Sequence, residues 1–216
     1  MKKRKFLLTL MIFTLLIVNQ VIFIQISAQD PKTLFIEYIK KQQAVLPKNF
    51  SCIISSSIFT EFLSQLPSDA FSKQLKDINI ILSVENGKPS INIDGINQQY
   101  NDFALSYFNI YLELLSFVFI SEEELNRQFE NFTITENKNT FILLDNSELI
   151  SYKFTFLNYL LSSISFFQEN IKKMDINIQY FTYKNYQLVK SINIINFDEK
   201  GNIKENILIT FSKYKL

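Results

Sequence analysis

The chain has no histidine and no tryptophan, one cysteine, three glycines and four prolines. Without histidine, Ser-His-Asp and Cys-His nucleophilic systems and imidazole-ligated metals are excluded. The single cysteine, Cys52, excludes an intramolecular disulfide and a cysteine-based zinc cluster. So little glycine leaves asparagine and aspartate to make most of the turns. Arginine is scarce too. Beyond Arg4 there is only Arg127, so bidentate recognition of phosphate or carboxylate by arginine has one candidate. Lys2, Lys3, Arg4 and Lys5 precede the first acid, Asp30. After residue 28, 18 basic groups face 21 acidic ones, a net charge of −3. Nucleic-acid binding needs clustered lysine and arginine, so nucleic acid is not an expected partner. Asp94, Glu113, Asp145 and Glu148 show no spacing suited to paired acid–base work. No catalytic residue, metal ligand or cofactor site is assigned, and the expected class is non-enzymatic.

What the chain does contain is apolar bulk. Phenylalanine occurs 22 times and tyrosine 10 times, and 47% of residues are hydrophobic. That exceeds what a disordered chain carries, and 216 residues suffice for one domain with a real core. The first stretch has another purpose. Met1–Lys5 is a positive n-region and Phe6–Val18 a continuous apolar run. Asn19 and Gln20 interrupt that run, and Ser27-Ala28 offers small residues for cleavage. This is the pattern of a secretory signal peptide over residues 1–28, cleaved after Ala28, with a mature domain from 29 to 216. The alternative is an uncleaved membrane anchor, because Phe6–Ile26 is long enough to span a bilayer. No cysteine stands at the cleavage site to carry an acyl anchor, and export without disulfides suits a bacterial periplasm.

The mature chain reads as strands, apolar helices, then strands. Thr33–Ala44 has helical patterning closed by Pro47 and Asn49. Phe50–Ile58 alternates like a half-buried strand, and Phe59–Leu66 is short and helical or irregular. Asp77–Val84 and Ser90–Ile93 flank Glu85-Asn-Gly-Lys88, a strong hairpin signal. Phe103–Ile120 is apolar around most of its circumference, with Glu113 as its one charge. Such a helix is buried on several sides or, alternatively, spans a membrane, at a cost of about 2.5–3.5 kcal/mol for the central charge. Ser121-Glu-Glu-Glu124 forms a capping box. Phe132–Glu136 and Thr140–Leu144 make a hairpin, and Asp145-Asn146 turns the chain again. Phe156–Met174 places Leu157, Leu160, Leu161, Ile164, Phe167, Ile171 and Met174 at helical spacing, so a helix is expected there.

Asp175–Leu216 alternates with period two in three segments. Ile176, Ile178 and Tyr180 share one face, as do Leu188, Ile192 and Ile194, and then Ile203, Ile207, Ile209 and Phe211. The Gly201-Asn202 pair tolerates the positive φ of a reversal. The expected fold class is α+β: a curved antiparallel sheet, an open half-barrel, covered by apolar helices.

One family resemblance attaches to these segments. Tyr183-Lys-Asn-Tyr186-Gln-Leu-Val-Lys190-Ser-Ile192 is similar to a late strand of the periplasmic lipoprotein carriers (LolA/LolB-like). Asp198–Asn202 running into Ile207–Tyr214 resembles their closing hairpin, and the first helix with Pro47-Lys-Asn-Phe50 behind it resembles their opening. The resemblance covers about a third of the chain and implies a half-barrel whose cavity shelters acyl chains of lipids or lipoproteins. Envelope membrane proteins are further possible partners. Under it, Phe108, Tyr111, Leu115, Leu157, Leu161, Ile192, Ile194, Ile207, Ile209 and Phe211 are candidates for the cavity lining. The same residues would equally serve a closed core, which makes an envelope protein-interaction domain the alternative. The family holds its lid with an arginine on an early strand; here no arginine occurs between Asp30 and Asn126.

Overall fold

The computed structural model describes residues 29–120, 122–145 and 149–216. The leader, Ser121 of the capping box and Asn146 of the expected turn lie outside them. Ten antiparallel strands form one open sheet: β1 (Phe50–Ser55), β2 (Asn79–Glu85), β3 (Lys88–Asp94), β4 (Phe132–Asn137), β5 (Thr140–Asp145), β6 (Ile150–Leu157), β7 (Leu160–Gln168), β8 (Ile171–Tyr183), β9 (Tyr186–Phe197) and β10 (Ile203–Lys215). Their order is β3-β2-β1-β10-β9-β8-β7-β6-β5-β4, so the chain closes by laying its last strand beside its first. Four α-helices accompany the sheet among the described residues: α1 (Pro31–Val45), α2 (Ser57–Ser64), α3 (Gln98–Phe119) and α4 (Glu122–Gln128). The fold is therefore α+β, a curved antiparallel sheet covered by helices.

Local chemistry explains the helix ends. The Asp30 carboxylate accepts hydrogen bonds from the Thr33 amide (3.1 Å) and hydroxyl (3.0 Å), and Pro31 takes the first helical position. Pro47 follows the Leu46 C-cap. Helix α1 packs against β4, β7 and α4, α2 touches β10, and α3 lies along β3. The two halves of α3, Gln98–Phe108 and Glu113–Phe119, are inclined at 65° to each other. No single helix among the described residues is long and apolar enough to cross a membrane.

The expected helix over Phe156–Met174 is replaced by the end of β6, all of β7 and the start of β8. Two details disguised these strands. Thr155 pairs with Ser163 but Phe156 with Leu161, so Ser162 is an extra residue, a β-bulge. It sets the buried Leu161 and Ile164 three apart, which imitates a helix. Its hydroxyl donates to the Thr155 carbonyl at 2.9 Å. The reversals also lack glycine. Asn158 (φ 51°) and Tyr159 (φ 65°), then Glu169 (φ 51°) and Asn170 (φ 63°), form two-residue turns with both φ positive. Two smaller expectations also change. The first strand stops at Ser55 and helix α2 begins at Ser57. Ile203 is exposed, because the register between β10 and β9 shifts between it and Glu205.

The core runs across the sheet in lateral rows. Phe141, Phe154, Ile164, Ile176, Ile194 and Ile207 pair in sequence from β5 to β10, and all are buried. Phe211, Ile54, Ile80 and Ile93 continue the apolar layer toward β3.

Candidate functional site

Nine of the ten expected lining residues come together, but as packed core. Phe108, Tyr111 and Leu115 on α3, Leu161 on β7, Ile192 and Ile194 on β9, and Ile207, Ile209 and Phe211 on β10 are 0–8% exposed in one continuous cluster. Leu157 is the correction. It ends β6, next to the buried Phe156, and strand alternation turns it outward to 64% exposure.

The apolar space lies one row further out. Leu143, Tyr152, Phe166 and Met174 pair side by side across β5–β8, parallel to the buried row that holds Ile164 and Ile176. Of these four, only Leu143 is buried. Beyond Met174 the row turns polar: Asn196 pairs with Met174 and donates to Glu205 at 2.9 Å. Between these rows and the second half of α3 is a cleft of about 500 Å³. Leu114 and Phe117 come from α3, Tyr152 from β6, Ile164 and Phe166 from β7, and Met174 and Ile176 from β8. Aromatic contacts stiffen one wall: Phe117 and Tyr152 have ring centres 6.3 Å apart, Tyr152 and Phe166 5.3 Å. Glu113, Ser116 and Gln128 complete the lining, and Glu113 is exposed. Tyr152 and Phe166 escaped the sequence analysis. Tyr152 alternates in phase with Phe154 and Phe156 on β6, whereas the bulge at Ser162 put Phe166 out of phase with Leu161 on β7.

A second, more polar cleft of about 620 Å³ adjoins the first. Leu46, Pro47 and Lys48 from the α1–β1 connection meet the Asn86-Gly87-Lys88 hairpin turn and the end of α3. Asn86 (φ 52°) and Gly87 (φ 78°) both need the left-handed region, and the Gly87 amide donates to the Lys48 carbonyl at 3.1 Å. Glu124 faces this cleft and is engaged. It accepts from Arg127 at 2.7 and 2.8 Å and from Gln128 at 2.7 Å. The Arg127 guanidinium holds its carboxyl below the usual range.

A buried glutamine holds the covering helices in place. Gln42 of α1 is fully buried; its amide donates to the Val118 carbonyl of α3 at 2.9 Å and accepts from the Leu161 amide of β7 at 2.5 Å. Gln43 adds a hydrogen bond to the Ile120 carbonyl. Lys40 and Glu122, 2.9 Å apart, tie α1 to α4 at the surface. Of the other candidate acids, Asp94 is paired with Lys73 at 2.8 Å, Glu113 is exposed, and Glu148 lies outside the described residues.

Comparison of the chain with protein families, with curated proteins and with solved structures gave no match.

Proposed function

We propose that the chain is a non-catalytic carrier of the bacterial cell envelope that shelters acyl chains of lipids or lipid-modified proteins. The observation that carries this reading is the apolar cleft between α3 and β6–β8. Its volume lies within the roughly 300–1,000 Å³ of small-molecule sites, and a mostly apolar lining with a few polar groups suits an amphiphile. Each methylene moved from water into such a site gains about 0.8 kcal/mol. Export rests on the leader pattern of residues 1–28. Cleavage after Ala28 releases the carrier into the periplasm, and retention of the leader keeps it at the membrane.

The test is direct. The full chain is expressed with its own leader, purified without detergent and analysed by native mass spectrometry. Stoichiometric acyl lipid or lipopeptide is expected, together with uptake of a fluorescent fatty-acid analogue that Met174→Trp blocks by filling the cleft. Empty protein that takes up no analogue overturns the carrier reading. The second reading, an envelope interaction domain, is favoured by the packing of the nine expected lining residues into a closed core. It also draws on the open sheet edges at β3 and β4, which are templates for strand addition.

A further inference from the structure

The apolar and polar clefts share Ser116 and Gln128 in their walls, so they meet as two compartments of one groove. Their charges differ. The apolar compartment has one charged lining residue, the exposed Glu113. The polar compartment has Lys48 and Lys88, both exposed, and Glu124, whose charge is offset by Arg127, the Nη2 of which donates to both carboxylate oxygens. The groove is thus polarised: an apolar trough with a negative rim leads into a pocket lined by two lysines, of which Lys88 has Glu85 as its cross-strand neighbour in the β2–β3 hairpin.

Resting on the carrier reading above, we propose that the ligand is a single-chain lipid with an anionic headgroup. The chain lies between α3 and β6–β8, and the headgroup lies against Lys48 and Lys88. Two features of the groove support this assignment. The lysines come from separate segments, the α1–β1 connection and the β2–β3 hairpin, which the Gly87–Lys48 backbone hydrogen bond holds together. Both line the same cleft, so an anionic phosphate or carboxylate lodged there lies within reach of two point charges. Glu113 at the opposite compartment repels an anion, so electrostatics also set the direction in which the chain lies. Neither lysine is in the core, so replacing both leaves the fold and the apolar trough intact.

Displacement of the neutral dye Nile red from the full chain tests the proposal, with four ligands sharing a palmitoyl chain: lysophosphatidate, palmitate, zwitterionic lysophosphatidylcholine and uncharged monoacylglycerol. Lysophosphatidate is expected to displace the dye at a concentration at least tenfold below that of monoacylglycerol, and added salt is expected to narrow the gap. The Lys48→Gln/Lys88→Gln variant is expected to close the gap without changing monoacylglycerol binding. Palmitate matching lysophosphatidate supports recognition of charge alone, and palmitate binding more weakly supports a phosphate site. Equal binding of charged and uncharged ligands overturns the headgroup assignment while leaving the carrier reading standing. A preference that survives in the double variant overturns the role of these lysines. If none of the four displaces the dye, both this inference and the carrier reading fail.

Discussion

The two ends of the central core row are built from different material. Under α1, Phe35 meets Phe141, Phe154 and Phe156 with ring centres 5.1, 5.3 and 6.1 Å apart. From β7 to β10 the same row is isoleucine: Ile164, Ile176, Ile194 and Ile207. Rings interlock through a few large edge-to-face contacts, so that flank depends on each member. β-Branched side chains stand upright on the pleat and tile a surface in small increments. The candidate groove opens beside this row, where Tyr152, Phe166 and Met174 are only partly covered. The lesson is that the aromatic flank anchors the covering helix, while the aliphatic centre forms a floor on which space can be left open.

That contrast can be broken at either end. Phe35→Ala removes the ring on which three others converge and is expected to cost about 3–5 kcal/mol in urea unfolding. Ile194→Val in the centre is expected to cost about 0.5–1.5 kcal/mol; equal losses would show that the two regions do not differ as argued. Between them falls Gln42→Leu. It leaves the buried Val118 carbonyl and Leu161 amide without their partner, at about 1–3 kcal/mol by the same measurement. It is also expected to speed hydrogen exchange in α1 and in the second half of α3. Leu157→Ser, on an outward position, should stay within about 0.5 kcal/mol of the parent chain.

Alkaline titration probes the core around β1, β8 and β10. Burial pushes the Cys52 thiol from 9.0 up to about 12. The Tyr214 hydroxyl, which donates to the Val189 carbonyl, is raised by burial and by Cys52 beside it. The Tyr180 hydroxyl, which donates to the Leu161 carbonyl at 3.0 Å, is raised by burial. These groups hold their protons more tightly folded than unfolded. Their stabilisation is therefore complete below about pH 9 and is lost as pH climbs toward about 12. The thermal midpoint should be level up to about pH 9 and fall above it, with a shallower fall in Cys52→Ala. Native Cys52 should resist iodoacetamide at neutral pH, because the reactive thiolate is suppressed.

Much of the sheet was legible because its signals are local. The alternation of Ile176/Ile178 and of Ile207/Ile209/Phe211 survives in the fold, as do the Asn86-Gly87 hairpin and the reversal at Asp198–Asn202. In that reversal the Asp198 carboxylate accepts the Lys200 and Asn202 amides, both at 2.9 Å. What misled was Phe156–Met174. There one bulged residue and two glycine-free turns turned a period of two into an imitation of 3.6. The site suffered accordingly: Leu157 was expected inside, while Tyr152 and Phe166 were overlooked.

By itself, the sequence determined the chemistry that is excluded, the α+β class and the apolar face of each late strand. Those follow from residue types and near-neighbour periodicity, which no long-range contact is needed to express. Only the tertiary structure decided which apolar side chains close into core and which are left around a groove. That choice depends on how β1 and β10 pair across the whole chain, where bulges shift the register, and where Gln42 pins α1 and α3 to the sheet. Each of these links residues far apart in sequence, so no local pattern encodes it.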